Sequence, residues 1–189
     1  MHISILSSST RIDRLSHRVA LALEKAINRS GQHSVTVLDL AVYNFPIMEE
    51  VLHRHPNPPE GLAEFSAEIR QSDAVLFVSP EYNGSFTAAL KNAVDYLKES
   101  EFSKKVVGVV SVSAGALGGM RAALAMQQLV LGVSGFPIPQ MLMVPQVASK
   151  FDESGTVLDP VFEQKIEQYL AQFQWLAEAV AEKKMATVV

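Results

Sequence analysis

The sequence predicts an α/β fold: a three-layer sandwich with a five-stranded parallel sheet of order 2-1-3-4-5 and helices on both faces. Three observations lead there. Short apolar runs alternate with longer segments of helical periodicity along the whole chain. The run Val106 to Val112 is apolar except for Ser111, as suits a strand covered on both faces. The segments that follow the first, third and fourth runs are rich in Ser, Gly and Asn, and ligands bind at the carboxyl ends of such strands.

The elements follow in order. Ile3 to Leu6 reads as the first strand. Leu15, Val19, Leu23 and Ile27 then recur every four residues, with Arg14, Arg18, Lys25 and Arg29 off that stripe, and Gly31 marks the stop. Val35 to Leu38 is the second strand. Residues 41–60 form a long connection rich in Pro and aromatics, a length that often carries function. Leu62, Phe65 and Ile69 mark a helix, and Ala74 to Val78 the third strand. Ser85 is the expected N-cap of the next helix, with the stripe Phe86, Leu90, Ala93, Val94 and Leu97. After the fourth strand, Leu117 to Leu131 reads as a largely apolar helix and Met141 to Val144 as the fifth strand. The last helix opens with Asp159 as N-cap and Pro160 in its first turn, and buries Phe162, Ile166, Tyr169, Phe173, Leu176 and Val180.

The length of 189 residues suits one domain spanning residues 1–189, without repeats or a linker. A formal net charge of -4 argues against general nucleic-acid binding. The absence of cysteine excludes disulfides, thiolate metal sites and a Cys nucleophile, so a redox role needs a bound cofactor. The uncharged stretch from Ala122 to Ser149 is broken by Pro137, Pro139 and Pro145 and by Gly132 and Gly135, so no membrane span is expected. The amino terminus enters a strand-like run at once, and a cytoplasmic protein is the expectation. No Gly-x-Ser-x-Gly elbow supports a hydrolase, and His53 and His55 lack an obvious third metal ligand.

Three loops carry the candidate chemistry. The first, Ser7 to Ser16, offers hydroxyls, backbone N–H groups and a helix amino terminus, with Arg11 as a fork for a phosphate. It contains neither a Walker sequence nor G-x-G-x-x-G. The second, Ser79 to Ala88, brings a Pro bend, a flat Tyr ring and an Asn-Gly turn. The third, Ser113 to Arg121, holds three glycines that let backbone approach a ligand closely. Together they suit a ligand with a phosphate at one end and a planar ring at the other, the shape of flavin mononucleotide (FMN).

At these residues the chain resembles the NADPH-dependent FMN reductase family, which has a flavodoxin-like fold. Ser8-Ser9-Thr10-Arg11 resembles its phosphate loop, and Pro80-Glu81-Tyr82-Asn83-Gly84-Ser85 with Leu90 to Asp95 resembles its most specific signature. Ser113 to Arg121 resembles its third flavin loop. The match runs over roughly residues 1–145, nearest the quinone, chromate and azo-dye reductases. Ser8 stands where Gly is usual, Arg14 where Ser is common and Ser16 where Asn is common.

The resemblance implies FMN-dependent oxidation of NADPH or NADH, with hydride passing through bound FMN to a small acceptor. Quinones, free flavins, azo compounds and chromate all fit that role. No side chain is catalytic in this reading, because flavin N5 carries the hydride. The expected cofactor contacts are Ser9, Thr10, Arg11, Arg14 and Ser16 in the first loop, Pro80, Glu81, Tyr82, Asn83 and Gly84 in the second, and Ser113, Gly115, Gly118 and Gly119 in the third. Arg14 is expected either at the phosphate or facing solvent. A flavodoxin-type electron carrier is the competing reading. The apolar helix near 120–132 and the family together imply a homodimer or homotetramer.

Overall fold

The computed structural model describes residues 1–186. The end of the expected domain, residues 187–189, lies outside the described residues. Strands β1 (His2–Ser7), β2 (Ser34–Asp39), β3 (Ala74–Pro80) and β4 (Val106–Val112) pair in parallel in the order β2-β1-β3-β4. Two short strands, β5 (Phe136–Pro137) and β6 (Leu142–Val144), share the fifth place. β5 pairs with Val106 and Val107, and β6 with Val110 to Val112. The expected order is therefore present, with the fifth strand interrupted. Pro137 and Pro139 have no amide to donate to a ladder. Ile138 leaves the ladder, and its carbonyl accepts from Gln127 Nε2 at 2.8 Å.

The helices divide between the two faces. Helices α1 (Leu15–Arg29) and α6 (Pro160–Ala186) bury Val19, Leu23, Ile27, Phe162, Ile166 and Phe173 against Ile3, Ile5, Leu76 and Val110. On the other face, α3 (Leu62–Gln71), α4 (Ala88–Asp95) and α5 (Met120–Gly132) bury Phe65, Ile69, Leu90, Val94, Met126 and Val130 against Leu6, Val75, Phe77 and Val109. Each fully buried aliphatic side chain of this kind contributes about 1.5–3 kcal/mol. A one-turn helix, α2 (Leu40–Tyr43), lies within the long connection and follows β2 directly.

The helix ends show where local chemistry governs. Gly31, at φ 66°, follows α1 in the left-handed position expected of a stop. Asp159 caps α6, accepting from the amides of Val161 at 3.0 Å and Phe162 at 3.2 Å. α4 begins later than expected, and its N-cap is Thr87 rather than Ser85: Thr87 Oγ1 accepts from Leu90 N at 3.2 Å. Ser85 is occupied elsewhere. Its N–H donates to the Tyr82 carbonyl at 3.1 Å and its carbonyl accepts from Tyr82 N at 2.8 Å. Asn83 and Gly84, at φ 51° and 84°, form the tight turn between them.

Candidate functional site

The register of the sheet sets the site. Ser7 lies beside Val78, and Pro80 beside Val112, so the loops leaving β1, β3 and β4 emerge side by side. Between them lies a cleft of about 520 Å³. Ser9, Arg11, Arg14, Ser16, Pro80, Glu81, Tyr82 and Ser113 line it, joined by Ile12, Asp13, Leu15, Val112, Ala114 and Val147.

Specific contacts close the loops on one another. Tyr82 Oη lies 2.9 Å from Ser9 Oγ, and the Arg11 guanidinium sits over the Tyr82 ring at 5.6 Å from its centre. The Thr87 hydroxyl reaches Ser8, 3.1 Å from its carbonyl and 2.9 Å from its Oγ. These contacts join the first loop to the second.

Glu81 joins the second loop to the third. Its carboxylate accepts from Arg121 Nη2 at 2.6 Å, Arg121 Nε at 2.9 Å and Arg121 N at 3.1 Å. Ala122 N adds a longer bond at 3.4 Å. The carboxylate thus caps α5, whose own N-cap residue, Gly119, has no side chain to do so. Desolvation opposes ionisation of Glu81, but the Arg121 guanidinium and the helix amides hold its pKa below the ordinary carboxylate value. The Glu81 carboxylate thus ties α5 to the cleft that Glu81 also lines.

Ser16 stands at the start of α1 with a different environment. It is 3% exposed, and its Oγ is the one buried side-chain polar atom without a hydrogen-bond partner among the described residues. No side chain caps α1. A hydroxyl left over at a free helix amino terminus, inside a cleft that also holds Arg11, matches what an anion such as a phosphate would use. The residues present fit the phosphate end of FMN.

Six expected contact residues are not part of this lining. Thr10 lines a separate hollow of about 120 Å³ with Leu40, Asn44, Phe45, Ala89 and Asn92. Asn83 and Gly84 form the turn tip, where a side chain on Gly84 would come within 3.3 Å of Arg121 Nη1. Gly115 donates its N–H to Ser113 Oγ at 3.0 Å. Gly118 packs on Met143 and Pro145, and a Cβ there would stand 2.9 Å from Met143 Cβ. Gly119 packs on Ser111 and Glu81. These glycines hold the third loop against β6, β4 and the second loop.

Arg14 lines the cleft and is also paired with an acid. Its guanidinium forms a bidentate pair with Asp39 at the end of β2, and Nη1 also donates to the Ser9 carbonyl at 2.9 Å. Asp39 and Thr87 went unnoticed as site residues. An acid at the carboxyl end of the strand beside β1 is the one sequence signal that could have marked Asp39.

The NADPH-dependent FMN reductase family matches residues 1–149 of this sequence. The chain belongs to that family. It is accordingly an NAD(P)H-dependent oxidoreductase that uses FMN, rather than a flavodoxin-type carrier. A quinone reductase of Pseudomonas putida is 38% identical over 164 residues, covering 83% of this chain and 84% of that protein. An NAD(P)H-dependent FMN reductase of Pseudomonas aeruginosa is 31% identical over 145 residues, covering 75% and 77%. Among solved structures, the flavoenzyme NAD(P)H:acceptor oxidoreductase of Paracoccus denitrificans superposes with a TM-score of 0.72 over 96% of this chain and 95% of that one, at 22% identity, a likeness of fold. No helix among the described residues is long and apolar enough to cross a membrane.

Proposed function

We propose that this NAD(P)H-dependent FMN reductase holds FMN in the cleft between its first three loops and delivers reducing equivalents to a small quinone. The unpartnered Ser16 hydroxyl at the start of α1 carries the site assignment. The acceptor class rests on the quinone reductases among the relatives.

Each residue has a stated task in this reading. Ser16 Oγ donates to the phosphate, Arg11 offsets its charge, and Ser9, a buried residue, hydrogen-bonds it through Oγ. The Tyr82 ring and Pro80 form the apolar wall beside the planar ring. The third loop closes the far side with Ser113 and Ala114. When bound, FMN supplies two-electron chemistry between NAD(P)H and the acceptor. The cleft's openness to solvent lets donor and acceptor take turns at one ring.

A homodimer or homotetramer is part of the proposal. The outer face of α5 carries Met120, Leu124 and Leu131 at 43%, 51% and 64% exposure, with Leu117 and Phe136 nearby at 74% and 46%. Exposed apolar side chains on one helix face of this kind mark a surface suited to a protein contact. A cytoplasmic location also belongs to this reading, in keeping with the reduced pyridine nucleotide it consumes.

The test is anaerobic stopped-flow mixing of the FMN-loaded protein with NADPH, followed by benzoquinone. Loss of the visible flavin absorbance with NADPH and its return with quinone are the expected result. A protein bleached by NADPH but not reoxidised by quinone would overturn the acceptor assignment.

A further inference from the structure

The Arg14–Asp39 pair sits directly beneath the first loop, and its geometry is unusually complete. Arg14 is the residue immediately before α1. Its guanidinium engages both oxygens of Asp39 while Nη1 also holds the Ser9 carbonyl at 2.9 Å. Asp39 is itself fixed, because it ends β2 beside Ser7 and accepts from Ala41 N at 3.0 Å. The two side chains are only 19% and 15% exposed, so solvent and salt screen the pair weakly. His17 flanks it, with Nδ1 2.9 Å from Ser7 Oγ and 3.7 Å from Asp39. Burial lowers the His17 pKa below its ordinary value although Asp39 pulls it upward, so Arg14 is the cation that Asp39 holds at neutral pH.

The consequence lies in the backbone. A peptide unit is planar, so fixing the Ser9 carbonyl also fixes the direction of the Thr10 N–H on the same plane. The Ser9 side chain, whose Oγ meets Tyr82, belongs to that same pinned residue. Asp39 and Ser9 occupy three of the five guanidinium N–H donors of Arg14, which fixes the guanidinium plane.

We propose that Arg14 and Asp39 form a positioning brace that holds the first loop in its phosphate-receiving shape. This rests on the assignment of the FMN phosphate to that loop. The brace acts by preorganisation: a loop already in its bound shape has less to order when the ligand arrives. It therefore favours FMN over riboflavin, which has the same ring and no phosphate.

The experiment titrates the cofactor-stripped full chain with FMN and, separately, with riboflavin, by flavin fluorescence. The variants are Arg14→Lys, which loses the guanidinium fork, and Asp39→Glu, which displaces its partner carboxylate by one methylene, both keeping every charge, with Arg11→Ala as control. The brace predicts FMN affinity lower by about 3- to 10-fold in both variants, the cost of ordering one or two side chains on binding. Riboflavin affinity stays within about twofold of the parent. FMN affinity unaltered in both variants overturns the brace, as does an equal loss for FMN and riboflavin, which marks general damage to the fold. If Arg11→Ala alone loses the preference for FMN, the phosphate assignment stands and the brace fails. A parent protein that binds riboflavin as tightly as FMN removes the phosphate assignment and the brace together.

Discussion

Replacing Ser16 by alanine should stabilise the ligand-free protein and weaken the complex, an opposition that few structural residues would produce. The Ser16 hydroxyl is buried, with 3% of the residue exposed, and its Oγ has no partner. An unsatisfied buried polar group costs about 1–3 kcal/mol. Ala is also the better helix former at this position in α1, by up to about 0.5 kcal/mol. The lost hydroxyl leaves only a small gap. A net gain of roughly 1–2 kcal/mol follows for the free protein, and at about 2–4 °C per kcal/mol for a chain of this size the melting temperature rises by several degrees. With FMN the sign reverses. A hydrogen bond to a charged group contributes about 1.5–3 kcal/mol, so the variant should bind FMN roughly 10- to 150-fold more weakly. Stabilisation by ligand grows with its concentration over Kd, so the two melting curves exchange order as FMN is added. Differential scanning fluorimetry of both proteins across an FMN series reads both halves at once. A variant that melts lower without ligand, or that binds FMN as the parent does, would refute the assignment of Ser16.

Three further outcomes follow from the same coordinates. Arg11→Ala should weaken FMN binding by about 1.5–3 kcal/mol, the range for a charge-assisted hydrogen bond, and leave riboflavin binding unchanged; isothermal titration decides it. Lys105 is 2% exposed, donates to the carbonyls of Ile69 and Arg70, and has its pKa pushed down to about 8 by desolvation, with Lys184 adding to the shift. The unfolded chain then binds more protons than the folded one between about pH 8 and 10.5, so stability rises with pH there, by roughly 3 kcal/mol at most. Urea titrations of the parent and of Lys105→Met should diverge across that window, and parallel curves would discount the buried amine. Finally, Leu124→Asp with Leu131→Asp should convert the protein to a monomer in light scattering at micromolar concentration, whereas a parent that is already monomeric would discount the α5 face as an interface.

The sheet was readable in the sequence because its central strands answer to burial alone. Val106 to Val112 is buried throughout, so an apolar run without alternation has one reading. The cap of α6 was equally legible, since Asp159 and Pro160 satisfy the first turn by local chemistry. The interrupted fifth strand was harder. Met141 to Val144 looks complete by itself, and only the ladder with β4 reveals that Phe136 and Pro137 share its place. Ser85 looked like a helix cap because Ser is a good one, but the Asn83–Gly84 turn needs it as a pairing residue, and the helix waits for Thr87.

The site was legible to the extent that it is local. Ser9, Arg11, Ser16 and Tyr82 were identified by residue type and position after a strand, and they line one cleft. What stayed hidden was partnership over distance. Glu81 is committed to α5 forty residues on, and Arg14 to Asp39 twenty-five residues on. A charged residue in a candidate loop does not announce whether it faces a ligand or another charge, because the partner lies on a different strand or helix.

A crystal structure of the FMN complex examines the central claim most directly. The account predicts the phosphate within hydrogen-bond distance of Ser16 Oγ and near Arg11, the ring between Tyr82 and the 113–119 loop, and Arg14 still paired with Asp39. FMN bound away from that cleft, or lying in it with its phosphate remote from Ser16, would contradict the account.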